Sequence, residues 1–345
     1  MQNHQNSQRL GVLILAAGKG TRMESEMPKV LHKVAGQAML SYVIDAAAGL
    51  HPDQLVIVVG HEAQTIQDHY KEDSRMTWAL QKELRGTGDA VRSAADQFES
   101  FEGDVLVLCG DTPGIRAETL YRLMMVHRTS GFDITLLTAE FDDPTGYGRI
   151  IVNPDGSVQG IVEEKDANAH EKMIDEINTG IAVYRSAALF NYLDKLKPTN
   201  KQKEFYLTDL VSICRSQGLS VGRMQIKDPT EAIGVNDREA LAESARCLYE
   251  DYASKLMKSG VTLEDPTTII VEPQANIESD SVIEASVCIR EHSQIGASVL
   301  VGSLSQIRQS KIGDGSRIGV GCVCNEVHIE EKVQIQSHCI LGTEG

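Results

Sequence analysis

Long hydrophobic runs are missing from this 345-residue chain. No apolar stretch approaches the ~20 residues that a helix needs to cross a bilayer. The opening residues, MQNHQNSQRL, contain no apolar h-region, so no signal peptide is read there. Disorder is expected over residues 1–9. The seven cysteines form no C-x-x-C pair, and only Cys322 and Cys324 lie close together. Zinc-finger and thioredoxin-type chemistry is therefore unsupported. Free thiols in a reducing cytoplasm are the simplest account of an odd, scattered set. Basic charge is also scarce. Lys and Arg number 33 against 49 Asp and Glu, a net charge of −16, which argues against nucleic-acid binding.

A hydrophobic fraction of 41% is enough for ordinary globular cores, and the length suggests two domains. The most informative stretch is residues 13–29, LILAAGKGTRMESEMPK. Leu13-Ile14-Leu15 suits a buried strand. The chain then turns through Ala16-Ala17-Gly18-Lys19-Gly20-Thr21, where small residues let backbone N–H groups approach an anion. Arg22 and Lys29 add two cations for phosphate oxygens, and Pro28 stiffens the chain before Lys29. This is not a Walker A loop, because Gly-Lys-[Ser/Thr] at the right spacing is absent. Met23 stands where the dinucleotide fingerprint needs its third glycine. A polyanionic substrate would need a local cationic pocket within an acidic protein, and bound Mg²⁺ would help supply it.

Three rhythms divide the chain. From about residue 10 to 135, apolar runs alternate with helical patterns. Leu55–Val59 and Val105–Cys109 read as buried parallel strands; Met39–Ala48, Ala63–Tyr70 and Thr87–Phe98 read as helices. That alternation predicts a doubly wound α/β sheet with ligands at the carboxyl ends of its strands. After residue 145 come short strands at Gly148–Val152, Ser157–Val162 and Gly180–Val183, the first two joined by an Asn-Pro-Asp-Gly turn. Residues 237–259 read as a linker helix, capped by Asp237 and stopped by Gly260. Its apolar stripe is Leu241, Ala245, Leu248, Tyr252 and Leu256. Then Val271, Ile277, Ile283, Ile289, Ile295, Val301 and Ile307 recur every six residues. After a one-residue contraction follow Ile312 and Ile318, then Ile329, Ile335 and Leu341. Hexapeptide periodicity predicts a parallel β-helix, each aliphatic pointing into its core.

Several smaller groups carry chemistry. Gln81 precedes Gly86-Thr87-Gly88; a glutamine can bond a uracil edge through donor and acceptor together, or be a plain surface residue. Gly86 and Thr87 can open a helix and leave N–H groups for a base or ribose. Asp111 ends the strand Val105–Cys109, where it can be a helix cap or a Mg²⁺ ligand. Glu163 and Asn178 are candidate partners for sugar hydroxyls or an amide. Asn236, in Gly234-Val235-Asn236-Asp237, offers a neutral oxygen ligand or a turn.

The G-x-G-T-R-M loop followed by Pro28-Lys29 resembles the signature of the sugar-1-phosphate nucleotidyltransferases. With Gln81 and Gly86-Thr87-Gly88, Cys109-Gly110-Asp111, GYGRI, GIVEEKD, EINTG and GVNDR in order, residues 10–260 resemble one branch of them. That branch is the uridylyltransferase domain of the bifunctional bacterial enzymes that make UDP-N-acetylglucosamine. The resemblance implies a Rossmann-like nucleotidyltransferase domain with a mixed sheet over 10–236, a linker helix over 237–260 and a short left-handed β-helix over 261–345. It implies transfer of UMP from UTP to N-acetylglucosamine-1-phosphate. Arg22 and Lys29 would be catalytic; Ala16, Ala17, Gly18, Gly20, Thr21, Gln81, Gly86 and Thr87 would bind the nucleotide. Gly148, Glu163, Asn178 and Thr179 would bind the sugar, and Asp111 and Asn236 would hold Mg²⁺.

Two departures stand out. Asp89 occupies a position where the family often has histidine. The chain also stops at Gly345, before the family's histidine-based acetyltransferase site and basic tail, so acetyltransferase activity is expected to be absent. His292, His328 and His338 are read as surface residues. A homotrimer through the β-helix is expected from the resemblance and from Val282, Val287 and Val299, read as facing outward. The competing readings are a sugar-1-phosphate nucleotidyltransferase with another base or sugar, and a non-catalytic trimeric binding or scaffold protein.

Overall fold

The computed structural model describes residues 9–342. The expectation of disorder over residues 1–9 lies, except for Arg9, outside them. The described residues form two compact units. One runs to Ala240 and omits Lys33–Gln37; the other comprises Lys33–Gln37 and the residues from Leu241 onward. The division falls inside one long helix, Arg238–Lys258.

The first unit is built on nine strands: β1 (Leu10–Leu15), β2 (Gln54–Val59), β3 (Thr77–Leu80), β4 (Asp104–Cys109), β5 (Ile134–Glu140), β6 (Gly148–Val152), β7 (Val158–Val162), β8 (Glu176–Arg185) and β9 (Val221–Gln225). The main path runs β9-β5-β8-β4-β1-β2-β3, with β6 paired to β8 and β7. β1 is parallel to both β2 and β4. The chain winds outward from β1 to β3 on one side and returns to β4 on the other. Strand order thus reverses between β1 and β4, which opens a crevice at their carboxyl ends. β8 lies antiparallel between β4 and β5, so the sheet is mixed.

Both faces of the central strands are buried, because these apolar runs lack polar alternation. Leu13, Val56, Val58, Val105 and Val107 face a core shared with the helices Thr87–Ser93, Ser186–Phe190 and Asp209–Ser216. Val12, Ile14, Ile57, Leu106 and Leu108 are equally buried. The helices Met39–Ala48 and Ala117–Ser130 pack on each other and on sheet strands. The helix expected over Thr87–Phe98 breaks after Ser93 and resumes as a 3-10 turn at Ala95–Phe98. The expected Asn153–Gly156 turn closes with Gly156 N–H donating to Asn153 O at 2.9 Å.

Asp237 caps the long helix, its Oδ1 accepting from Ala240 N–H at 2.9 Å. Beyond it, short strands stack into three parallel sheets of five, five and four strands. This is a parallel β-helix. Val271, Ile277, Ile283, Ile289, Ile295, Val301, Ile307, Ile312 and Ile318 share one core. Cys324, also in that core, fills the place the aliphatic series left open, and a second one-residue contraction follows it to Ile329. Pairings accordingly shift from eighteen residues (Ile270 with Cys288) to seventeen (Gln306 with Val323).

One expectation about this region is corrected. Val287 and Val299 do not face outward; they are 0% and 1% exposed. Each lies two residues before a core aliphatic, and in a strand that places it on the same face. Serines take the equivalent place elsewhere. Ser281, Ser293, Ser305 and Ser316 are all buried. The Ser305 hydroxyl donates to Gly319 O at 3.0 Å and accepts from Cys322 N–H at 3.1 Å. These hydroxyls satisfy backbone groups that the coil corners would otherwise leave unpaired inside. Val282 is half-buried, and His292, His328 and His338 are exposed.

Candidate active site

At the carboxyl ends of β1 and β4 lie two cavities, of about 410 and 380 Å³. Leu15, Thr87, Cys109 and Asp111 line both, so the two share a wall. Ala16, Ala17, Gly18, Lys29, Gln81 and Gly86 line the smaller one. Arg22, Gly148, Glu163, Asn178, Thr179 and Asn236 line the larger. The residues expected to bind nucleotide and sugar therefore collect in two adjoining spaces. Gly20 and Thr21 line neither.

The loop after β1 is held from behind. Ala16 N–H donates to Val58 O at 2.8 Å, and Thr21–Met23 form a 3-10 turn. Gly20 has φ +62°, and a Cβ there would meet Lys29 Cβ at 2.4 Å. Only glycine permits both the left-handed backbone and the close passage of the lysine stem. Met23, at the place of the missing third glycine, is buried and anchors the turn.

Lys29 makes the central contacts. Its Nζ donates to Asp111 Oδ2 at 2.5 Å and to Asn236 Oδ1 at 2.8 Å. Val235 N–H donates to Asp111 O at 2.8 Å, which ties the two loops together. The helix-cap alternative for Asp111 is removed. The helix at Ala117 has Arg116 at its N-cap position and no side-chain cap. One carboxylate oxygen and one amide oxygen thus converge on a single cation, here an ammonium. This donor set suits a hard divalent ion, since Mg²⁺ takes one or two protein oxygens and completes its shell with waters and phosphates. Among the described residues no group of three His, Cys, Asp or Glu could hold a metal, so an ion at Asp111 and Asn236 would take the rest of its shell from water and phosphate.

Along one wall of the larger cavity β8 is irregular, with Asn178, Thr179, Gly180 and Ala182 in the lining. Its register slips between Asn178 and Ala182, around Gly180 at φ +78°. A bulge of this kind re-aims the neighbouring side chains. A Cβ on Gly180 would stand 2.6 Å from Cys109 Sγ. Burial, with help from the charge of Asp111, pushes that thiol up to about 12, so it stays protonated at neutral pH. Glu163 Oε1 accepts from Thr208 Oγ1 at 2.8 Å. Desolvation raises the Glu163 pKa; the Thr208 bond opposes this, and Asp209, Asp166 and Glu204 add to it. The Thr179 hydroxyl is committed to backbone, donating to Leu137 O at 2.8 Å. Gly148 lies beside Asn178 in the β6–β8 pairing.

Three contributors escaped the sequence reading. Thr208 holds Glu163. The Tyr147 hydroxyl accepts from Gly234 N–H at 3.1 Å and so braces the Asn236 loop. Glu204 joins the wall of the smaller cavity. Tyr147 lay inside the GYGRI segment; the other two carry no local signal.

Residues 12–207 match the family model of the MobA-like NTP transferase domain. The protein named "Bifunctional protein GlmU" from Lactobacillus johnsonii is 43% identical over 307 residues, covering 89% of this chain and 66% of that protein. Its namesake from Trichlorobacter lovleyi is 40% identical over 323 residues, 94% of this chain and 70% of that protein. The chain belongs to the GlmU family. The protein of the same name from Pelotomaculum thermopropionicum is 42% identical over 333 residues, 96% of this chain and 71% of its own length. This GlmU-family NTP transferase thus spans between 66% and 71% of the length of these three relatives. Among the described residues no helix is long and apolar enough to cross a membrane.

Proposed function

We propose that this chain transfers the uridylyl group of UTP to N-acetylglucosamine-1-phosphate and releases pyrophosphate. One observation carries the reading: the two cavities adjoin at Asp111, with the phosphate-type loop on one side and Glu163 and Asn178 on the other. A nucleotide in the smaller space and a sugar phosphate in the larger would meet at that wall.

A phosphate oxygen of the sugar-1-phosphate attacks the α-phosphorus of UTP. The new P–O bond forms as the bond to the α,β-bridging oxygen breaks, and its electron pair leaves with pyrophosphate. Such chemistry needs positioning and charge neutralisation more than a covalent nucleophile. Backbone N–H groups of Ala17, Gly18, Gly20 and Thr21 would receive phosphate oxygens, with Ala16, whose own N–H is taken by Val58 O, lining the pocket beside them, and Gln81, Gly86 and Thr87 on the base and ribose. Arg22 and Lys29 would neutralise the transferring and departing phosphates. Asp111 and Asn236 would hold Mg²⁺, which when bound supplies further positive charge to the phosphates. Glu163 and Asn178 would orient the sugar through side-chain hydrogen bonds; Gly148 leaves it room, and Thr179 contributes backbone.

Pyrophosphate release measured across four nucleoside triphosphates and several sugar-1-phosphates tests the reading. Turnover confined to UTP and N-acetylglucosamine-1-phosphate is expected. Preference for another pair would move the chain to a different specificity, and no release with any pair would refute catalysis. A homotrimer through the β-helix is retained on the resemblance alone, and light scattering over a range of concentrations tests it.

A further inference from the structure

We propose that Asp89 selects the base by dictating which end of the Gln81 side-chain amide faces the nucleotide cavity. The inference rests on the reading of that cavity as a nucleotide site. Gln81 lines it and is 5% exposed; Asp89 lies behind at 6%. Gln81 Nε2 donates to Asp89 Oδ2 at 3.0 Å and to Gly86 O at 3.2 Å. A carboxylate and a carbonyl can only accept. Turning the amide over would set Oε1 against two acceptor oxygens with no proton between them, so the observed orientation is imposed by chemistry. Both N–H groups of the amide are then used, and the backbone N–H of Gln81 is taken by Val59 O at 2.8 Å. Of the side-chain amide, Oε1 remains for a ligand.

Asp89 is itself held. Arg85 donates to its Oδ1 at 3.0 Å, and Arg92 stands 3.7 Å from the same oxygen. The two guanidiniums lie over the Phe205 ring, 5.7 and 5.0 Å from its centroid. Asp89 therefore presents Oδ2 to Gln81 in a fixed direction.

An oxygen facing the base selects an edge that offers N–H. Uracil does so at N3; cytosine has an unprotonated acceptor at that position and offers N–H only from its exocyclic N4, one place along the edge, so an oxygen set opposite N3 favours uracil. The two nucleotides have nearly the same shape, so the discrimination is one of hydrogen-bond polarity. In Asp89→Asn, Arg85 still needs an acceptor and keeps the oxygen of the substituted side chain. The introduced N–H₂ then faces Gln81, and Oε1 is drawn toward it while the Gly86 carbonyl resists. The lock is lost, and Asp89 is thereby identified as a positioning residue acting through Gln81.

The test is equilibrium binding of UTP and CTP by calorimetry with Mg²⁺ and no sugar phosphate, beside UTP turnover. The wild-type protein is expected to bind UTP at least about tenfold more tightly than CTP, the size of one mispaired polar contact. Asp89→Asn should lower that ratio at least about fivefold, and should lower it no further in a Gln81→Ala background. Asp89→Ala removes the same acceptor and serves if the asparagine variant does not fold. Three results overturn the proposal: equal wild-type binding of UTP and CTP, an unmoved ratio in a folded Asp89 variant, or an equal drop that persists without Gln81. Selective UTP binding without pyrophosphate release would count against the proposed reaction and leave the Asp89 inference standing. Binding of neither nucleotide would overturn both.

Discussion

Replacing Lys29 with methionine keeps most of the side chain's length and removes its charge. In the folded protein the ammonium is shared between Asp111 Oδ2 at 2.5 Å and Asn236 Oδ1 at 2.8 Å. The Lys29 and Asp111 side chains are 11% and 24% exposed. A divalent ion that takes the same two oxygens must first displace the ammonium. At 4 Å and an effective dielectric constant of 20 a charge pair is worth about 4 kcal/mol. Water at the exposed side of Asp111 discounts this to roughly 2 kcal/mol, in line with a charged hydrogen bond. Lys29→Met should therefore bind Mn²⁺ about 10- to 30-fold more tightly without nucleotide. The same variant should lose on the order of 10²-fold or more in turnover, because a cation aimed at the transferring phosphates is gone. Metal affinity and activity would move in opposite directions. Mn²⁺ titration followed by electron paramagnetic resonance reads the first, and pyrophosphate release the second. Unchanged or weaker Mn²⁺ binding in Lys29→Met would refute the shared-oxygen argument. Loss of that binding in Asp111→Asn shows that the ion counted is the one intended.

The remaining predictions concern three other residues. Asp111→Asn should cut turnover at millimolar Mg²⁺ at least about 100-fold with near-UV circular dichroism unchanged; wild-type turnover would remove Asp111 from the mechanism. Glu163 has a raised pKa because it is desolvated. Its contribution to stability is thus present in full below the unfolded carboxylate value and lost as pH rises through the raised folded value. A sugar hydroxyl or amide N–H bonds more strongly to the ionised form, so KM for the sugar phosphate should rise as pH falls through that window, and Glu163→Gln should flatten the change. An identical pH profile in the variant would exclude Glu163 from sugar binding. Ser305→Ala strands a half-buried carbonyl and a buried N–H between coils and should cost about 1–3 kcal/mol; denaturant unfolding reads this, and a cost below about 0.5 kcal/mol would show that the serine contacts are incidental.

What could be read directly from the chain was whatever lies within a few residues of itself. The loop from Ala16 to Lys29, the helix Met39–Ala48 and the six-residue rhythm are periodic or contiguous, and short-range sterics and burial set them. Even there, a rule based on aliphatic side chains passed over Cys324. A rule of one inward residue per six misplaced Val287 and Val299, because strand alternation turns a second residue inward. Tertiary structure decided the rest. Lys29 meets Asp111 and Asn236 across 82 and 207 residues, a convergence made by the order of strands around β1 and β4. β8 enters antiparallel between β4 and β5, and its irregularity at Gly180 lies beside Asn178 in the wall of the larger cavity; neither leaves a local signature. Gln81 and Asp89 are only eight residues apart, yet the polarity of their contact depends on where the turn at Gly86 sets them. Hydrogen bonds and desolvation act over a few ångströms in space, so the chemistry of this site belongs to neighbours the fold creates.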